Sequence, residues 1–158
     1  MINAGDKVPS VTIKQATPEG GSDVDPAALF AGKKVVMFSL PGAFTPTCSS
    51  KHLPGYVEKF DELKGKGVDI IACLSVNDAW VMKAWAEEHK ALGKITMLAD
   101  GQGLFSKALG IEVEIPGMGL RSKRGLFVFE NGVATSAEVE APGKFEVSGA
   151  DACSLRLK

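Results

Sequence analysis

The chain has 158 residues, of which 45% are apolar and 23% charged, and a formal net charge of −1. That length supports one ordinary domain with a real core, taken here as residues 1–158. The near-neutral charge gives no footing for nucleic acid or a membrane surface, and no apolar run is long enough to span a bilayer.

The N-terminus, Met1 to Ser10, carries Asp6 and Lys7 and lacks an apolar core, so it does not read as a signal or transit peptide. Val11-Thr12-Ile13 reads as a short edge strand. Asp25 is placed to cap a single helical turn through Phe30. The apolar run Val35-Val36-Met37-Phe38-Ser39-Leu40 reads as a buried strand. It leads into Pro41-Gly42-Ala43-Phe44-Thr45-Pro46-Thr47-Cys48 and then an amphipathic helix to about Lys64, with Leu53, Tyr56, Val57, Phe60 and Leu63 at helical spacing. Pro54 is expected to kink that helix or split it in two.

Val68 to Val76 is a second strand, followed by a helix from Asp78 to about Lys90 with Asn77 as its cap. Ile95 to Ala99 is a third strand, and a short helix then stops at Gly110. Ile111 to Gly125 reads as an irregular loop holding Arg121 and Arg124. Leu126–Phe129 and Val133–Val139 flank Asn131-Gly132, a strong two-residue hairpin turn. Ser148 is expected to cap a last short helix, with Asp151 in its first turn. Strands and helices alternate, then a hairpin and a final helix follow. This is the element order of a thioredoxin-like α/β fold, with a mixed central sheet flanked by helices.

Chemistry concentrates at Cys48. With Thr45 as N-cap and Pro46 as the first helical residue, Cys48 falls in the first turn. Unpaired backbone N–H groups and the positive helix end there favour the thiolate, the reactive species. Its neighbours Thr45, Thr47, Ser49 and Ser50 are hydroxylic, as suits a polar site better than a core. Cys73 sits in an apolar strand sequence and reads as packing, whereas Cys153 lies in the terminal helix. Three widely spaced cysteines are no secreted disulfide framework; they fit a reducing, cytoplasmic-type compartment. Cys48 and His52 share a helical face at metal-ligand spacing, but no second ligand pair accompanies them, so no metal is expected. Threonine stands where a C-x-x-C disulfide reductase would carry its first cysteine, which argues against a general thiol–disulfide oxidoreductase.

The pattern P-x-x-x-T-x-x-C, with Pro41, Thr45 and Cys48 in register, resembles the active-site signature of the peroxiredoxins. The continuation through His52-Leu53-Pro54-Gly55-Tyr56 resembles the type II, peroxiredoxin-5-like subfamily, and the likeness extends from about Gly5 to Ser148. The resemblance implies a thiol peroxidase that reduces hydrogen peroxide and small organic hydroperoxides without metal, flavin or haem. It makes Cys48 the peroxidatic cysteine, with Thr45 and Pro41 shaping the site. It also assigns Arg124 as the cation beside the sulfur, with Arg121 the alternative. Some members resolve the oxidised sulfur with a cysteine near the position of Cys153, and others use thioredoxin, glutaredoxin or glutathione; the tail here mixes both patterns. The resemblance further implies a homodimer formed through the face bearing the active-site loops. The other readings are a disulfide oxidoreductase or a non-catalytic redox sensor on the same fold. Multiple-turnover peroxide consumption separates the first reading from both.

Overall fold

The computed structural model describes residues 1–157. A seven-stranded mixed sheet runs in the order β2-β1-β5-β4-β3-β8-β9. At its centre, β3 (Lys34–Ser39), β4 (Ile70–Ser75) and β5 (Thr96–Ala99) pair in parallel. These strands are buried on both faces, which explains their unbroken apolar sequences. On one side β8 (Gly125–Glu130) and β9 (Val133–Val139) extend the sheet antiparallel, joined by Asn131-Gly132 with positive φ at both residues. On the other side lie β1 (Ile13–Thr17) and β2 (Gly20–Val24). The thioredoxin-like architecture is therefore as expected, with one correction: β1 is internal, and the edge is β2, a polar strand with no apolar period to reveal it.

Alternation along β3 divides the core. Val35 and Met37 pack with Phe30 of α1 (Pro26–Phe30) and Phe105 of α5 (Leu104–Leu109). Val36, Phe38 and Leu40 face the opposite layer, made by α2 (Leu53–Glu58), α3 (Phe60–Gly65), α4 (Ala79–Glu88) and α6 (Ala150–Arg156). All three cysteines belong to this second layer.

Three local expectations are corrected. Residues 111–125 are not an irregular loop, because β6 (Glu112–Ile115) and β7 (Gly119–Ser122) form a separate antiparallel hairpin. Asp78, not Asn77, caps α4, its carboxylate accepting from the Val81 N–H at 2.8 Å. Ser148 does not cap α6; Gly149 occupies that position, and Ser148 is wholly buried in other bonds.

The effect of Pro54 is also specific. The chain is helical from Pro46, but Cys48–His52 forms a π-helical turn in which the Leu53 N–H donates to the Cys48 carbonyl. Pro54 has no N–H to return to the Ser50 carbonyl, so the wider turn ends just before it. A second break falls at Lys59, between α2 and α3.

Candidate active site

Cys48 lies in the π-helical turn after the loop that leaves β3, and its side chain is fully buried against the α2/α4/α6 layer. The loop is fixed from below. The Asn77 side-chain carbonyl accepts from the Ala43 N–H at 3.0 Å and from the Ser75 hydroxyl at 2.6 Å. The indole N–H of buried Trp85 donates to the Ser49 hydroxyl at 2.9 Å, tying the turn to α4.

Thr45 stands at the start of the helix, its carbonyl accepting from the Ser49 N–H at 2.9 Å. Its hydroxyl donates to the Gly42 carbonyl at 2.7 Å. The hydroxyl proton is thereby committed, and the oxygen lone pairs remain to accept.

Arg124, immediately before β8, brings the positive charge. Nη2 donates to Cys48 Sγ at 3.1 Å, and Nη1 donates to His52 Nδ1 at 2.8 Å. Because a guanidinium can only donate, Nδ1 of His52 must be the unprotonated nitrogen. Nε2–H then donates to the Ser148 carbonyl at 3.0 Å. Burial first, and the adjacent Arg124 charge second, push His52 down to about 3, so it is a neutral acceptor. The Tyr56 hydroxyl donates to the same Ser148 carbonyl at 2.7 Å, and its ring stacks on Phe38 at 4.0 Å.

Arg121 lies elsewhere in the site. Nη1 reaches the Pro41 and Val76 carbonyls at 3.4 Å each, and Nε donates to the Met118 carbonyl at 3.2 Å. It ties the β6–β7 hairpin to the Pro41 loop and makes no bond to the sulfur. Pro41, Thr47 and Arg124 line one wall of a cleft of about 380 Å³. Val113, Ile115, Val139, Pro142 and Phe145 supply its apolar surface, with Lys123 and Lys144 at its edge. Among the described residues, no group of three or more His, Cys, Asp or Glu is placed to hold a metal ion.

Cys48 and Arg124 thus come from two distant segments into direct contact, Pro41 lines the cleft with Arg124, and Thr45 stands at the start of the helical stretch that carries Cys48. Cys73 is buried in β4, and burial first, with Cys48 nearby, pushes its thiol well up. Cys153 lies in α6, fully buried beside Tyr56, its thiol pushed up to about 11 mainly by burial. The terminal helix is firmly held. Lys66 donates to the Ser154 and Leu157 carbonyls at 2.7 and 3.2 Å, Ser154 bonds Glu62, and Arg156 pairs with Glu138 at 3.5 Å. These bonds brace the terminal helix against fraying.

Sequence reasoning weighed His52 only as a metal ligand and missed its bond to Arg124. Its position four residues after Cys48, on the same helical face, was the available signal. Nothing local marked Ser148 as its partner.

Residues 3–153 match the family model described as Redoxin. Peroxiredoxin-2B of Arabidopsis thaliana is 49% identical over 126 residues, 78% of each chain. The chain belongs to the peroxiredoxin family. Peroxiredoxin-2E, chloroplastic, of the same plant is 43% identical over 156 residues, covering 95% of this chain and 67% of the relative. The crystal structure of reduced Prx3 from Vibrio vulnificus in complex with hydrogen peroxide superposes over the full length of both chains, with a TM-score of 0.96 and 52% identity. Peroxiredoxin 5 from Alvinella pompejana, 33% identical, has a TM-score of 0.87 over 99% of this chain and 98% of its own. This peroxiredoxin is thus of the type II, peroxiredoxin-5-like kind, and like its family a thiol peroxidase.

Proposed function

We propose that Cys48 is the peroxidatic nucleophile, Arg124 its activating cation, Thr45 the acceptor that orients the peroxide, and Pro41 the shield over the sulfur. The observation that carries this is the 3.1 Å approach of Arg124 Nη2 to Cys48 Sγ. A guanidinium at that distance donates to the attacking sulfur and meets the charge that develops on the peroxide. Thr45, its own proton committed to Gly42, accepts from the peroxide O–H.

In the reaction the Cys48 thiolate attacks the terminal oxygen of ROOH. The S–O bond forms as the O–O bond breaks, sulfur is oxidised to a sulfenic acid, and the leaving RO⁻ takes up a proton to give ROH. Two equivalents of thiol then return the sulfenic acid to thiol, giving a disulfide and water. The cleft is far larger than hydrogen peroxide needs, and its apolar wall suits small organic hydroperoxides as well.

The reductant in this reading is an external thiol: glutathione, glutaredoxin or thioredoxin. Support comes from Cys153, whose burial and raised thiol make it a poor attacker until α6 is displaced. Cys153 enters as a resolving cysteine only after such displacement. A homodimer through the active-site face is supported by exposed Phe44 on the loop that precedes the Cys48 turn. Phe44 holds a φ of 64°, a costly conformation for a bulky side chain. A reducing compartment, the cytoplasm, suits three free thiols. The chloroplastic naming of one relative points to another reducing compartment for it, and fractionation of the source cells decides between them.

The decisive experiment mixes metal-free protein with excess peroxide and each thiol donor in turn. Many turnovers with at least one donor are expected. A halt after one equivalent would make the chain a sensor, and disulfide reduction without peroxide consumption would make it a reductase.

A further inference from the structure

Glu140, at the end of β9, is a buried carboxylate with an unusual set of partners. Its two oxygens both accept from the Glu146 N–H at 2.8 Å. One of them also accepts from the Val147 and Ser148 N–H groups at 2.8 Å each, and from the Ser148 hydroxyl at 2.7 Å. Burial alone would raise this acid, but the Ser148 hydroxyl and the three backbone N–H groups outweigh it and hold Glu140 below the usual carboxylate range. The side chain is thus an anion that folds residues 141–148 around itself.

That loop does more than cross the surface. Its last residue presents the Ser148 carbonyl to His52 Nε2 and to the Tyr56 hydroxyl. Phe145, in its middle, lies edge-on to the His52 ring at 5.1 Å and beneath the Arg124 guanidinium at 5.8 Å. The Glu140 N–H also donates to the Arg124 carbonyl at 2.9 Å. Both ends of Arg124, backbone and guanidinium, are therefore set by one short segment.

We propose that Glu140 is a positioning residue for the peroxidase reaction. Through the 146–148 backbone it fixes the Ser148 carbonyl, which fixes the His52 tautomer and ring, which aims Arg124 at Cys48. Glu140 has no bond to the sulfur, the guanidinium or the histidine ring; it acts through the backbone it holds, and its charge also reaches His52. The tautomer is the sensitive link. If the Ser148 carbonyl moves, Nε2 loses its acceptor, and His52 can place its proton on Nδ1 instead. Nδ1–H would then face the Arg124 guanidinium donor to donor, and Nη1 would lose its only side-chain partner. This inference rests on Arg124 serving as the activating cation.

The test is a double-mutant cycle on the rate of Cys48 oxidation by hydrogen peroxide in single turnover. Glu140→Gln keeps the shape but turns one acceptor oxygen into an N–H donor facing other donors. In the wild-type background it is expected to slow oxidation by about tenfold or more. In the Arg124→Ala background the same change is expected to cost less than about twofold, because the group it positions is gone. Equal losses in the two backgrounds, or no loss in wild type, would overturn the inference. An Arg124→Ala protein as fast as wild type would instead overturn the site reading on which it rests. If Glu140→Gln fails to fold, Ser148→Ala removes one donor to the same carboxylate and leaves the backbone cradle. It is then expected to show a smaller loss with the same dependence on Arg124, and losses independent of Arg124 would again overturn the inference.

Discussion

Arg124 and Cys48 are 76 residues apart in sequence, and the Nη2-to-Sγ distance is 3.1 Å. The contact exists because β3 and β8 are neighbours in the sheet, with Ser39 opposite Gly125. Arg124, directly before β8, and the loop that leaves β3 and leads to Cys48 are thereby delivered to the same end of the sheet. The Ser39 hydroxyl donating to the Lys123 carbonyl at 2.7 Å secures the join.

Arg124→Ala is expected to slow peroxide attack on Cys48 by about a hundredfold, the scale of losing one well-placed donor to a developing charge. Arg124→Lys recovers little, because a point charge cannot hold Sγ and His52 Nδ1 at once. Stopped-flow fluorescence or competition kinetics measures both. A larger effect from Arg121→Ala than from Arg124→Ala would contradict the assignment, since Arg121 bonds only carbonyls.

Cys48→Ser abolishes peroxide consumption, because a serine hydroxyl is not ionised at neutral pH and lacks the sulfur nucleophile. Cys73→Ser leaves turnover largely intact, since that thiol is packed within β4. A coupled peroxidase assay on both variants checks this; turnover above background in Cys48→Ser would sink the reading.

Thr45→Val keeps the shape of the side chain but removes both the bond to Gly42 and the acceptor for the peroxide. A loss of about tenfold or more in kcat/KM is expected, and Thr45→Ser is expected to restore most of it. A fully active valine variant would remove Thr45 from the mechanism.

His52 makes the fold sensitive to acid. Its folded value of about 3 lies below the unfolded 6.5, so the unfolded chain binds the extra proton. Stability is full above about 6.5 and falls as pH drops from there toward 3, by a few kcal/mol at most. Denaturant melts at pH 7, 5.5 and 4 should show this decline, and His52→Gln, though weaker at pH 7, should show a flatter one. Parallel declines in the two proteins would refute it.

Peroxide treatment without a donor is expected to give some Cys48–Cys153 disulfide, formed only as α6 and the Cys48 turn open. The bond needs Cα atoms within about 7 Å, and Cys153 is held in a pinned helix. Lys66→Ala, which frees the α6 carbonyls, should raise the yield. Mass spectrometry of alkylated, non-reduced protein reads it out. Cys48 sulfenic or sulfinic acid alone, with Cys153 still alkylatable in both proteins, would assign resolution wholly to an external thiol.

Much of this molecule was legible in its residues. Local signals such as the apolar run 35–40, the Asn131-Gly132 turn and Gly110 in the left-handed region depend on neighbours in sequence, and they sit where expected. The proline, threonine and cysteine of the motif are close in sequence, so their spacing placed the thiol near a helix start. That the turn is π-helical, and that the Thr45 hydroxyl donates to Gly42 instead of capping the helix, is decided by the tertiary structure. What the sequence could not contain was partnership across the sheet. It offered two arginines and preferred Arg124 by family resemblance alone; the registration of β3 with β8 is the physical reason that Arg124 meets the sulfur while Arg121 braces the loop. Ser148 and Asn77 have the chemistry of helix caps, and their sequence neighbours support that role. Tertiary packing drew each to a buried acceptor or donor farther away, because an unpaired polar group inside the fold costs more than an unfilled cap at the surface.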